Sequence, residues 1–163
     1  MSEVLPQNPN LVLSQSLAEC KNHKESIGLL FWQSSMLWQR KIKQILQSYN
    51  LTHTQFVILA VIEELTEQDV CITQKKISDF SMIDVMTVSS TVRLLEKKGL
   101  IYRLPHKTDT RANSISNTEE GKSCLKQAVI DVESVDKTFF FNSNEENAQF
   151  QNMLSQLLSK NLE

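Results

Sequence analysis

The sequence predicts a mainly α-helical chain carrying one small β-hairpin. Three observations point there. Only three glycines and three prolines occur in 163 residues, too few turn-formers for an all-β sandwich, a dinucleotide-binding loop or a low-complexity linker. Apolar residues recur at spacings of three and four through most of the chain, the period of a helix with a buried face. After Gly99 that period gives way to two short runs, Leu100–Leu104 and Ala112–Ser116, around a turn at Pro105–Thr110.

Residues 1–15, with Pro6, Pro9 and no periodicity, read as an unanchored, disordered extension. Ser16 and Glu19 have capping-box spacing, so a short helix is expected there. A long helix follows over roughly Glu25–Tyr49. One stripe holds Ile27, Leu30, Phe31, Trp38, Ile42 and Ile45, and a second holds Leu29, Trp32 and Met36. A helix apolar on two sides is buried on two sides, and in so small a chain the second cover is expected to be another subunit. Thr52 and Gln55 form a second capping box, opening a helix whose run Phe56–Ile62 is apolar all round and predicts full burial, ending at Glu63-Glu64. Val70, Cys71 and Ile72 suggest a short strand. Thr73 caps a helix to about Phe80, Ser81–Ile83 makes a tight connection, and a further helix runs from Asp84 to Lys98, stopped by Gly99 at the place of a left-handed cap. Thr118, with Glu119 and Glu120 in the first turn, opens a long helix to about Lys137, as the macrodipole favours. An apolar knot, Phe139-Phe140-Phe141, precedes a last helix over Asn144–Lys160.

Charge is unevenly spread. The chain carries −2 overall, but residues 71–116 hold 8 basic and 4 acidic residues, and both flanks are net acidic. A basic middle between acidic ends is the signature of a polyanion-binding module on a scaffold. No apolar run reaches the length of about 20 residues that crosses a membrane. Three dispersed cysteines, Cys20, Cys71 and Cys124, give no disulfide framework, and the expectation is a cytoplasmic protein with reduced thiols.

Two short helices joined by a tight turn and followed by a hairpin make a winged helix-turn-helix. In its second helix Val85, Val88, Val92 and Leu95 are expected to be buried, leaving Thr87, Ser89, Ser90 and Arg93 outside. Short hydroxyls and one long cation, with no carboxylate among them, suit a helix in a major groove, where hydroxyls meet phosphates or base edges and arginine can take guanine with two hydrogen bonds. The hairpin adds Arg103, His106, Lys107 and Arg111, cations able to reach a minor groove. Asp109 fits such a tip as the ion-pair partner that orients Arg111.

On these residues the chain resembles the multiple antibiotic resistance regulator (MarR) family of transcription factors. The likeness is carried by Leu51-Thr52-His53-Thr54-Gln55-Phe56, Asp84 to Val92, Leu95-Glu96-Lys97-Lys98-Gly99-Leu100-Ile101, Asp109-Thr110-Arg111 and Thr118-Glu119-Glu120-Gly121, and extends over residues 25–160. It implies a homodimer whose helical dimerisation region is built from both chain ends (residues 16–50 and 118–163), flanking a winged helix-turn-helix lobe over 51–117. It also implies double-stranded DNA as partner, through a pseudo-palindromic operator, and repression relieved by a small phenolic or lipophilic effector; some members answer instead to thiol oxidation or zinc. By position Thr87, Ser89, Ser90 and Arg93 match the recognition helix, and Arg111 the wing arginine. One departure stands out: the family usually has leucine before the Thr-x-x-Gly start, and here Asn117 removes that apolar anchor.

Other constellations say less. Cys20-x-x-His23 has half the spacing of a zinc site and no second pair, so no metal and no cofactor is expected. Cys20 lies about two turns from the sensing position of oxidation-responsive members, and Cys71 and Cys124 read as buried small apolar residues. Trp32, Met36 and Trp38 are candidates for an effector pocket, although dimer core explains the same spacing. No nucleophile–base or paired-carboxylate arrangement indicates an enzyme. Two functional classes remain open: a DNA-binding regulator, and a winged-helix scaffold for protein interaction that has lost DNA binding. The basic middle and the hydroxyl-rich helix favour the first.

Overall fold

The computed structural model describes residues 26–68, 71–105 and 113–162. The expected helix at Ser16 and the sites at Cys20, His23, His106, Lys107, Asp109 and Arg111 lie outside them. The chain divides into two units, residues 1–38 and 39–163.

Helix α1 spans Ile27–Leu46 and ends in a single 3-10 turn, Gln47–Tyr49. Asn50, at φ 52°, reverses the chain there, a conformation asparagine tolerates better than most residues. In the first unit, the residues of α1 from Ile27 to Trp38 leave Phe31, Trp32 and Met36 exposed. In the second unit, Ile42 and Leu46 are fully buried.

Helix α2 (His53–Glu67) begins with the full capping box: the Gln55 amide donates to Thr52 Oγ1, and the Thr52 amide donates to Gln55 Oε1. The helix continues a turn past the expected stop at Glu63-Glu64. Its burial is also one-sided: Ile58, Leu59, Ile62 and Leu65 are buried, while Phe56, Val57 and Ala60 are only half-covered. An all-apolar sequence predicts burial all round, but so small a lobe has too few elements to surround a helix.

Thr73 caps α3 (Gln74–Ser81) by accepting from the Lys76 amide. Of the expected strand at residues 70–72, Val70 lies outside the described residues, and Cys71 and Ile72 form no strand, although the Ile115 amide donates to the Ile72 carbonyl at 2.9 Å. Met82, at φ 59°, turns the chain from α3 into α4 (Val85–Lys97). Ser78 Oγ donates to the Ile83 carbonyl at 2.6 Å and fixes that turn. Asp84 caps α4, accepting from the Thr87 amide at 2.9 Å. Gly99, at φ 72°, terminates it, with the Leu100 amide donating to the Leu95 carbonyl.

Strands β1 (Ile101–Pro105) and β2 (Asn113–Asn117) form an antiparallel pair with Ile101 opposite Asn117 and Arg103 opposite Ile115. Helix α5 (Glu119–Phe139), capped by Thr118, and helix α6 (Asn144–Asn161), capped by Ser143, complete the chain. Between them Phe140 and Phe141 meet Phe150 at ring separations of 5.8 and 5.4 Å.

The core of the second unit is aliphatic. Ile58, Leu59 and Ile62 of α2, Ile77 of α3, Val88, Val92 and Leu95 of α4 and Ile115 of β2 are wholly inaccessible. Each such side chain contributes about 1.5–3 kcal/mol by leaving water, and together they set the pose of α4 against the hairpin.

Candidate nucleic-acid interface

The face that α4 turns away from the core follows from which residues it buries. Val88, Thr91, Val92 and Leu95 are buried. Val85, expected inside, is 51% exposed. Thr91 takes the fourth inner position, because the helix starts only at Val85 and its first residue overhangs the end of the core. At about 100° per residue, Met86, Ser90, Arg93 and Lys97 form the outermost stripe, and all four are exposed.

The expected contact residues are not equivalent. Arg93 is exposed and forms no ion pair among the described residues. Ser90 is exposed and donates back to the Thr87 carbonyl at 3.0 Å. Thr87 and Ser89 are half-buried on the two shoulders of the stripe. The Thr87 hydroxyl and then its amide hydrogen-bond the Asp84 carboxylate, holding that acid below its ordinary 3.8.

Arg103 is placed differently from the other cations. Its Nε donates to Glu96 Oε1 at 3.0 Å and its Nη2 to Glu96 Oε2, a two-pronged pair joining the root of the hairpin to the last turn of α4. The hydrogen bond from Arg103 lowers the Glu96 pKa from its ordinary 4.5 and raises that of Arg103. Both acids of the α4 segment are thus occupied, Asp84 by the cap and Glu96 by Arg103.

Three further contacts lock α4 in place. Lys98 Nζ donates to the Asn50 carbonyl and to Gln55 Oε1, tying the end of α4 to the capping box of α2. Thr118 Oγ1 donates to the Gly99 carbonyl at 2.7 Å, and the Thr118 amide to the Leu100 carbonyl. Gly121 lies flush against Leu100: a Cβ there would stand 2.0 Å from the carbonyl oxygen. The departure at Asn117 proves to be an anchor of another kind. Asn117 is 5% exposed, and its Nδ2 donates to the Leu59 carbonyl at 3.0 Å and to Glu63 Oε2 at 2.9 Å, with Oδ1 left unpartnered. Hydrogen bonds to α2 replace the leucine contact.

The candidate effector residues do not share one surface. Trp32 and Met36 lie one turn apart on one side of α1, while Trp38, six residues from Trp32, falls on another side and is half-buried. A cleft of about 370 Å³ lies elsewhere, lined by Tyr49, Asn50, Lys98, Leu100, Glu120 and Cys124. Cys71 and Cys124 are both half-buried rather than buried. Burial, with the Glu120 charge, pushes the Cys124 thiol up, away from the thiolate that reacts. Glu96, Lys98 and Met86 are the residues around this candidate face that sequence reasoning did not single out. The first two reach partners across a helix end and a loop, which no periodicity encodes. The signal for Met86 was present, since it leads the stripe that continues through Ser90 and Arg93.

Comparison with known proteins agrees with the winged helix-turn-helix fold. The sequence pattern of the MarR family matches residues 51–112. The chain is 41% identical over 115 residues to the uncharacterized HTH-type transcriptional regulator YdcH of Bacillus subtilis, covering 71% of this chain and 78% of that protein. It is 30% identical over 139 residues to the HTH-type transcriptional regulator SarZ of Staphylococcus aureus, covering 85% and 90%. Among solved structures, the S. aureus MepR–DNA complex superposes with a TM-score of 0.72 at 27% identity, covering 85% of this chain and 98% of that one.

Proposed function

The chain belongs to the MarR family of DNA-binding transcriptional regulators, and from that premise we propose that it is a homodimeric, sequence-specific repressor whose α4 enters the major groove of a pseudo-palindromic operator. One observation carries the reading. The outer stripe of α4 offers Ser90, Arg93 and Lys97, while the acids of the same segment are engaged, Asp84 in the cap and Glu96 with Arg103. A phosphate-lined groove therefore meets donors and cations without a free carboxylate.

In this reading Arg93 and Ser90 face the groove, and Thr87 and Ser89 flank them. Lys107, Asp109 and Arg111, outside the described residues, are further DNA contacts expected from the sequence. Arg103 serves as the strut that holds the wing root on α4. The winged helix-turn-helix lobe covers 51–117, with the dimer formed by 16–50 and 118–163. The protein works in the cytoplasm, without catalysis. A small phenolic or lipophilic effector at the Trp32–Met36 side of α1 would weaken operator binding. Quenching of tryptophan fluorescence by 4-hydroxybenzoate, lost in Trp32→Phe, tests that part.

The decisive experiment is selection of bound duplexes from random DNA by the full chain. The expected result is an inverted repeat with half-sites about one helical turn apart. Recovery of no enriched sequence at low salt would overturn the reading.

A further inference from the structure

The leading position of the outer stripe of α4 is apolar. Met86 is the second residue of the helix and is 76% exposed, opposite the side on which Val88, Val92 and Leu95 are buried. Its backbone is fixed, because the Asp84 cap on the Thr87 amide brackets it. Its side chain is outside the core of the described residues. Residues at the N-terminal end of a recognition helix are those that meet base edges. In the major groove the one apolar feature is the C5-methyl of thymine, and apolar side chains recognise it. Methionine is long, unbranched and polarizable, so it can reach and mould onto such a group.

We propose that Met86 is a specificity-determining residue that packs on a thymine C5-methyl in each half-site. The inference rests on the DNA-binding reading above and deepens it: the preference comes from an apolar contact at the start of α4 as well as from Arg93 further along. Phe80, Met82 and Val85 are exposed around the same turn and offer the competing use of the position, a protein-facing apolar surface.

The test uses the full chain and its selected operator, with each thymine replaced in turn by deoxyuridine, which deletes only the methyl group. For the wild type, affinity should fall about fourfold at one thymine position per half-site, the scale of one buried methyl, at mirror-related places. Met86→Ala should bind the unmodified operator more weakly and show no loss at that same position, a coupling that a double-mutant cycle isolates. Met86→Leu should keep most of the discrimination. Equal thymine-over-uracil discrimination by wild type and Met86→Ala, or no methyl-sensitive thymine in either half-site, would overturn the proposal and favour the protein-facing surface. Failure of the wild type to bind any duplex would sink the parent reading, and this one with it.

Discussion

A side chain at position 121 has nowhere to go. The Leu100 carbonyl would lie 2.0 Å from any Cβ there, and that carbonyl is fixed as acceptor for the Thr118 amide. Gly121→Ala gains up to about 1 kcal/mol in helix propensity but must push backbone apart, and overpacking costs about 1–3 kcal/mol or more. The expected net result is a loss of stability in urea denaturation, the opposite of an ordinary helical glycine-to-alanine change. His53 gives a pH-dependent prediction. Burial lowers its pKa below the ordinary 6.5, and the Asp136 charge only partly opposes this. A histidine with a depressed folded-state pKa binds fewer protons folded than unfolded between those two values, so stability should fall as pH drops from about 6.5 into that window. His53→Gln should flatten that part of the stability–pH profile; an unchanged slope would assign it to another group. Asn117 shows where reading by residue type stops. From the sequence it is a missing leucine, whereas the fold gives its amide two acceptors, Leu59 and Glu63, more than fifty positions upstream. Asn117→Ala should cost about 1–3 kcal/mol, because it removes buried hydrogen bonds and leaves a gap.

Among the elements, the caps were the most legible. Thr52, Thr73 and Thr118 each cap the helix their spacing announced, Asp84, read as the first helical residue, proves to be the cap of α4, and Gly99 ends α4 in the left-handed conformation. These signals are local, a side chain meeting an amide three residues on, so they survive without tertiary knowledge. Burial was less legible. Val85 and the outer side of α2 look like core in composition, but which apolar residue is covered depends on what packs against it. The coupling of α4 to the hairpin was not legible at all, since Glu96 and Arg103 look like two separate surface charges. Their pairing makes a prediction that separates strut from DNA contact. Arg111→Ala should flatten the dependence of log affinity on log salt by about 0.9 for each half-site, one phosphate's worth at each of the two wings. Arg103→Ala should weaken binding through a loosened wing while leaving the slope nearly unchanged, and Glu96→Gln should mimic it although it removes a negative charge. If instead Arg103→Ala flattens the slope and Glu96→Gln tightens binding, Arg103 touches phosphate. The lowered Glu96 pKa carries the same sign: the pair stabilises above the ordinary carboxyl range and is lost as pH falls through its depressed value.

At the scale of the whole molecule, the chain ends pose the problem that the lobe does not solve. Helix α6 has eighteen residues and buries none of them, leaving Met153, Leu157 and Leu158 exposed, with Leu162 exposed just past its end. A helix in a protein draws most of its stability from packing an amphipathic face, and the ring contacts at Phe150 secure only the first half of α6. The described start of α1 likewise exposes Ile27, Leu30, Phe31 and Trp32. Two amphipathic segments at opposite ends of the sequence, each with its apolar side chains exposed among the described residues, are what a shared interface between two copies leaves behind when one copy is viewed alone. Stable dimers of this kind bury about 2,000 Å² or more, with a core-like interior. The two-sided stripe of α1 made this legible in the sequence, though not which residues of the second copy would meet it. Light scattering should therefore give twice the 18.7 kDa chain mass at micromolar concentration. Leu157→Asp with Leu158→Asp alters two side chains that are exposed in one copy, so each chain should still fold. The pair of charges, placed in an apolar interface, should drive the protein to monomer. The consequence for DNA follows from symmetry. A dimer engages two half-sites, the second at the high effective concentration set by the first, so the monomeric variant should lose at least about a hundredfold on the full operator while binding an isolated half-site about as well as wild type does. A variant that remains dimeric would move the interface off α6. One that becomes monomeric yet keeps full operator affinity would detach dimerisation from recognition.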